Sequence, residues 1–254
     1  MLTFDKDFLK KLNTALFNFL WKGKDKIKRL ALVSDYSDGG LKMPHVESSI
    51  TTQRIMCLKK FIETYHSPWK LILSHHLKNY GEKFLLHCNY DVTDLPKSLP
   101  KFYRECLEAW ATLTEKQPTS RDHVTEQILW NNKHIRIDDK PQFCKKSFMA
   151  GISKIKDIFL TNGKLKPWNF FSEKGLNLNN YLLILGLSKA LPESWRALLN
   201  SGTTCCSQIP NSDSTDFTEP IFHSKSGDIN LTKLTSKKLY WILVEDIRVP
   251  QLPG

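Results

Sequence analysis

Three groupings of side chains carry the types that chemistry needs: a carboxylate pair, a histidine–cysteine set and two runs of cations. Asp138-Asp139 follows Ile135-Arg136-Ile137, and two-metal polymerases place adjacent carboxylates at a strand turn. That chemistry needs a further carboxylate on a neighbouring strand. Here Lys140 and Pro141 follow and the surroundings are helical in pattern, so the pair reads as a solvated turn. His75, His76, His87 and Cys88 have the elements of a zinc site, yet adjacent His75-His76 point to different sides of a helix. No Cys-x-x-Cys spacing occurs. Neither a Gly-x-Ser-x-Gly elbow nor a Gly-rich phosphate loop ending in Lys-Ser or Lys-Thr is present. No catalytic residue, metal ligand, cofactor or small-molecule substrate is assigned.

The cations are more informative. Lys22, Lys24, Lys26, Lys28 and Arg29 put five positive charges within eight residues, enough to neutralise several phosphates. Residues 1–30 hold eight basic and three acidic side chains, nearly half of the net +11 of the whole chain. A second basic stretch comprises Lys133, Arg136, Lys140, Lys145, Lys146, Lys154 and Lys156. With 37 Lys and Arg against 26 acids, an acidic partner is implied: nucleic acid or an anionic surface. The Trp and Phe residues fall on helical apolar faces and read as core rather than base-stacking platforms.

The elements that hold these residues are mostly helical. Phe4, Phe8, Leu12, Ala15, Leu16, Phe19 and Leu20 recur at steps of three and four, predicting a helix over 5–21 with Thr3 as N-cap and Gly23 ending it. Gly39-Gly40 makes a turn before Lys42 and Pro44. Helices follow over 47–65, from Pro68 and over 101–115. Ile128-Leu129-Trp130 and Ile135-Arg136-Ile137 flank an Asn-rich turn as the single β signal. Helices resume over 143–160, 167–174 and 179–199, with a break at Pro192, and a last one covers 236–246.

The expected fold is mainly α, of irregular helical bundles with at most one small β-hairpin near 128–137. The expected division is a helical domain over 1–90, a Pro-containing linker over 91–100, a second helical region over 101–200, a flexible Ser/Thr/Asn-rich segment over 201–230 and a C-terminal helix and tail over 231–254. At 254 residues and 41% apolar content the chain can bury a core without staples. A helicase, kinase or complete polymerase would fill that length with motifs that are not seen. No apolar run is long enough to span a bilayer. Six scattered cysteines and an N-terminus without an apolar signal predict a reduced, intracellular location, nuclear or cytoplasmic.

One set of motifs runs in a recognisable order. Leu16-Phe17-Asn18-Phe19-Leu20-Trp21-Lys22-Gly23-Lys24, then Lys28-Arg29, then Gly39-Gly40-Leu41-Lys42-Met43-Pro44, resembles the segment after the polymerase core in reverse transcriptases of non-LTR retrotransposons of the long interspersed element class. Further matches follow: Phe102-Tyr103 through Trp110; Ile128-Leu129-Trp130-Asn131-Asn132 with Lys140-Pro141; Ala150-Gly151-Ile152 with Asp157-Ile158; Asn162-Gly163; Tyr181; Pro192 with Trp195; and Lys238-Leu239-Tyr240. Cys57 stands where many relatives have Trp, and Lys60 where Arg is usual. The resemblance implies the thumb and the helical region downstream of it. Lys22, Lys24, Lys26, Lys28, Arg29, Gly39, Gly40 and Lys42 would then lie toward RNA or an RNA/DNA duplex. The family's Tyr-x-Asp-Asp motif, endonuclease and Cys/His knuckle do not occur in this sequence, so a nucleic-acid-binding remnant and not an enzyme is expected. The other reading from the residues is a helical protein-interaction or non-functional retroelement-derived protein whose basic face is only solvated. A membrane-peripheral helix is a third.

Overall fold

The computed structural model describes residues 3–22, 27–63, 67–114, 118–200, 221–224, 227–230 and 233–248. The fold is mainly α, as the periodicity predicts, with small antiparallel strand pairs. It divides into two compact units, each discontinuous in sequence: one of 1–64, 100–113 and 221–254, the other of 65–99 and 114–220. This differs from the division expected at 91–100. Tyr90, Leu95 and Leu99 are buried, so the Pro-containing stretch is packed within the second unit rather than linking two domains.

The first unit is built on α3 (Val46–Ile62), which buries Ile55, Leu58 and Phe61. α1 (Lys6–Trp21) and α12 (Ser236–Arg248) both pack on it. Asn13 of α1 donates to Glu47 at 2.6 Å, and the Tyr240 hydroxyl of α12 accepts the His45 N–H at 2.8 Å. α5 (Lys101–Thr114) brings Glu105 to Arg54 at 2.8 Å, and the Arg54 guanidinium lies 4.3 Å from the centroid of Phe102. Cys57 sits beside Cys106 of α5, whose hydrogen bond, with the charges of Arg54 and Lys60, holds the Cys57 thiol below its ordinary pKa. Short α2 (Arg29–Val33), in a stretch to which the sequence pattern assigns no element beyond the cations ending at Arg29, buries Leu32 and Val33. Strands β3 (Ile221–Ser224) and β4 (Gly227–Asn230) pair within the stretch expected to be flexible, while 201–220 lies outside the described residues.

In the second unit α4 (Pro68–Leu77) packs against a 3₁₀ segment, Glu82–His87, burying Leu73, Leu77 and Phe84–Leu86. α6 (Arg121–Thr125) is capped by Ser120, whose hydroxyl accepts the His123 N–H. The hairpin is β1 (Arg136–Ile137) with β2 (Lys140–Pro141), so it lies at the C-terminal edge of the expected 128–137 region and beyond it. Ile128 bridges instead to Lys154, because Trp130 and Asn131 turn the chain inward. The helix expected over 143–160 is two, α7 (Lys145–Met149) and α8 (Ile155–Ile158), separated at Gly151, whose φ is 79°. α9 (Trp168–Glu173), α10 (Leu178–Lys189) and α11 (Glu193–Asn200) complete the unit, with the expected break at Pro192.

Trp130, Asn131 and Asn132 form the polar centre of this unit and are all buried. The Trp130 indole N–H donates to the Ile152 carbonyl at 2.6 Å. Asn131, at φ 47°, uses its amide to donate to Tyr80 O at 2.9 Å and its backbone N–H to donate to Gln142 O at 2.9 Å. Asn132 donates to Ile128 O at 2.8 Å and accepts the His134 N–H at 3.0 Å. Since Asn131 already holds a left-handed backbone that Gly tolerates, Asn131→Gly removes the side-chain bond without adding strain. It should lower stability by about 1–2 kcal/mol, read as a fall in urea midpoint.

Burial, reinforced by repulsion from Lys154, pushes His87 down to about 4. Between that value and its ordinary 6.5 the unfolded chain takes up a proton that the folded chain refuses. Stability is therefore full above pH 6.5 and falls on acidification, at about 1.4 kcal/mol per pH unit within the window. Urea midpoints at pH 7, 5.5 and 4.5 should show this slope, and His87→Gln should flatten it.

Candidate nucleic-acid interface

The N-terminal basic cluster is positioned by the end of α1 and the start of α2. Asp5, not Thr3, caps α1, its carboxylate accepting the Phe8 N–H at 2.6 Å. At the other end Lys22 itself takes the left-handed position, at φ 49°, and its N–H donates to Asn18 O at 2.8 Å. Phe17 is the buried aromatic of α1, with Leu9, Leu12, Asn13 and Leu16 half-buried on the same side. The buried face is rotated from the one predicted through Phe8 and Phe19, because Asn13 reaches Glu47 of α3. Phe8 is left 47% and Phe19 87% exposed, and Lys6, Lys10, Lys11 and Lys22 are exposed on the same helix.

The Arg29 guanidinium lies 4.5 Å from the centroid of Phe17, which brings the first residue of α2 against the last turns of α1. Lys28 and Arg29 are exposed there, with Ile27. Lys24 and Lys26 lie outside the described residues. Lys42 is already engaged: it pairs with Asp35 at 2.9 Å and stands 4.8 Å from the centroid of exposed Tyr36. Its hydrogen bond holds the Asp35 carboxyl below its ordinary value.

The two glycines serve the turn in different ways. Gly39 has φ 75° and open space around it. Gly40 is buried against backbone, and a Cβ there would fall 2.0 Å from the Ser34 carbonyl oxygen. The turn is tied by Gly40 N–H to Asp35 O at 2.9 Å and Lys42 N–H to Ser34 O at 3.0 Å.

Three of the seven cations of the second basic stretch are engaged with carboxylates of the protein, while Lys140, Lys145 and Lys146 are exposed. Arg136 forms a bidentate pair with Asp94, at 2.9 and 2.8 Å, and also donates to Asp139 O. Lys154 and Lys156 share Glu126 at 2.6 Å each. Burial raises the Glu126 pKa, but the two lysines outweigh it and hold the carboxyl below its ordinary value. Asp138 and Asp139 are exposed at the hairpin tip, at φ 50° and 56°. His75 and His76 face each other edge to plane at 5.9 Å between centroids, and buried Cys88 donates to Phe84 O at 3.4 Å. Among the described residues no group of three or more His, Cys, Asp or Glu is placed to hold a metal ion, and no helix is long and apolar enough to cross a membrane.

Set beside known proteins, the chain matches no protein-family model, no curated protein and no solved structure.

The contrast between the glycines is testable by thermal unfolding. Gly40→Ala should lower stability by more than about 2 kcal/mol, because the Ser34 backbone has to move. Gly39→Ala carries only the strain of its left-handed backbone, about 1 kcal/mol.

Proposed function

We propose that the chain binds the phosphate backbone of RNA or of a template–primer duplex, as a non-catalytic piece of a non-LTR retrotransposon reverse transcriptase corresponding to the thumb and the helical region after it. The observation that carries the reading is the exposed cationic surface at the end of α1 and the start of α2, where Lys22, Lys28 and Arg29 are exposed and the Arg29 guanidinium lies over Phe17. Lys6, Lys10 and Lys11 extend the positive surface along α1. The ordered motifs from Phe19-Leu20-Trp21 to Lys238-Leu239-Tyr240 support the family assignment. Gly39, Gly40 and Lys42 act indirectly in this reading, since their contacts are within the protein and fix the turn after α2. A surface of this kind reads charge spacing rather than base sequence.

Fluorescence anisotropy with an RNA–DNA primer–template duplex at 50–300 mM salt, over which the Debye length falls from about 14 Å to about 6 Å, tests it. Contact with at least four phosphates should give a log–log salt slope of about −3.5 or steeper. Replacing Lys22, Lys24, Lys28 and Arg29 together by Ala should flatten the slope by about 3.5 and weaken binding at least tenfold at low salt. A shallow slope, or affinity unmoved by the four substitutions, rejects the proposal and leaves the basic face as a solvated surface.

A further inference from the structure

The second unit contains a cleft of ≈ 550 Å³ that the motifs above do not account for. One wall is the turn from Lys78 through Asn79, Gly81 and Glu82 to Lys83, and the other is Phe143, Lys145, Phe148 and Met149. The aromatic side is braced from behind. Phe148 lies 4.4 Å from buried Phe84 and 5.8 Å from Phe143, and Phe143 meets the edge of buried Trp130 at 6.4 Å, all between centroids. The rings are thus held in place while Phe143 and Phe148 still line the opening.

The facing turn is shaped to admit them. Gly81 has φ 85°, and a Cβ there would lie 2.9 Å from Phe143 Cζ and 3.1 Å from Phe84 Cδ1. Glu82 follows at φ 55°, a strained backbone for a residue with a side chain. Asn131 ties both walls, through Tyr80 O and Gln142 O. Three lysines against one glutamate give the lining a net positive charge. Lys78 and Lys145 are exposed, on opposite walls. Met149, 71% exposed at the mouth, adds an adaptable apolar surface.

From a fixed aromatic wall, flanking ammonium groups and a side-chain amide that offers both donor and acceptor, we infer that this cleft binds a single unpaired nucleotide. Its base lies against Phe143 and Phe148, Asn79 reaches the base edge, and its phosphate sits between Lys78 and Lys145. The volume lies within the range of small-molecule sites. A nucleotide in a single strand and a free nucleoside monophosphate share this chemistry. An acidic peptide satisfies the lysines but leaves the flat wall without a stacking partner, so the nucleotide is favoured. The site is independent of the phosphate surface on α1 and α2, which recognises backbone charge without bases.

The test uses the full chain, fluorescein-labelled hexathymidylate as probe, and unlabelled thymidine 5′-monophosphate, inorganic phosphate and hexaglutamate as competitors. Lys78→Glu/Lys145→Glu, changed only at exposed positions, should raise the dissociation constant for hexathymidylate at least tenfold. Phe148→Leu, which keeps apolar volume and removes the ring, should raise it about tenfold. Ultraviolet cross-linking should attach the probe to the peptide containing Phe143 to Met149, in the wild type and equally in the Lys22/Lys24/Lys28/Arg29→Ala chain. That retention separates this inference from failure of the duplex-binding proposal. Competition by the monophosphate within a few-fold of the oligonucleotide identifies a free nucleotide as the source, and much weaker competition identifies a strand. Unchanged binding in the charge-reversed variant, cross-links confined to other peptides, or inorganic phosphate or hexaglutamate competing as well as the monophosphate overturns the inference.

Discussion

Asn131 carries the constraint on which the second unit's surface depends. It is 3% exposed, holds a left-handed backbone and spends its amide and its N–H on two segments distant in sequence, Tyr80 and Gln142. Either buried donor, the side-chain amide or the backbone N–H, would incur a desolvation penalty if it lost its partner, so the two segments are fixed together. The residues that follow each anchor are the Gly81-Glu82 turn and Phe143. The cleft therefore depends on one residue that holds both of its walls, the Tyr80 side through its side-chain amide and the Gln142 side through its backbone N–H. Trp130 and Asn132, on either side, donate to Ile152 and Ile128, which closes the same knot on the segment leading to α8.

Charge in this chain is divided between internal pairing and display. Arg54, Arg136, Lys154, Lys156 and Lys42 each meet a carboxylate, and the first two are held in partly buried pairs. These pairs join α3 to α5, the β1 hairpin to the 3₁₀ turn at Asp94, and the α8 region to Glu126. Being partly buried, the Arg54 and Arg136 pairs are screened by salt less than surface pairs are. The count of cations in the second basic stretch thus overstates its local charge, and the excess is displayed on α1, at the start of α2, on the walls of the cleft and at exposed Lys140 and Lys146.

The sequence made the helical class, most of the long helices and the break at Pro192 legible, since periodicity and proline act locally. It misassigned what depends on a distant partner. Leu12 and Leu16 face inward as their spacing predicts, but with Asn13 reaching Glu47 it is Leu9 and Phe17 that join them, and Phe8 and Phe19 of the predicted face are left exposed. A single helix over 143–160 fits its apolar count, yet Gly151 and the pairing of Ser153 and Lys154 with 127–129 divide it. The second basic stretch looked uniform because the acids that engage it, Asp94 and Glu126, are 42 and 28 residues away from Arg136 and Lys154. Only the Asn131-Asn132 pair gave a local sign of the polar knot, and it was legible merely as a turn.

The two surfaces also differ in the kind of anion they suit. Along α1 the cations sit on a solvated helix with exposed Phe8 and Phe19, an arrangement that sums many weak, screened attractions and tolerates any register along a phosphate backbone. In the cleft the rings are braced by Phe84 and Trp130, so little side-chain freedom is left to lose when a planar group stacks on them. Pre-organisation of that sort is wasted on a regular duplex, whose bases are already stacked on each other. It favours a base that has no partner, and for that reason the charge of the cleft and its aromatic wall have to be read as one device rather than as a continuation of the basic surface on α1.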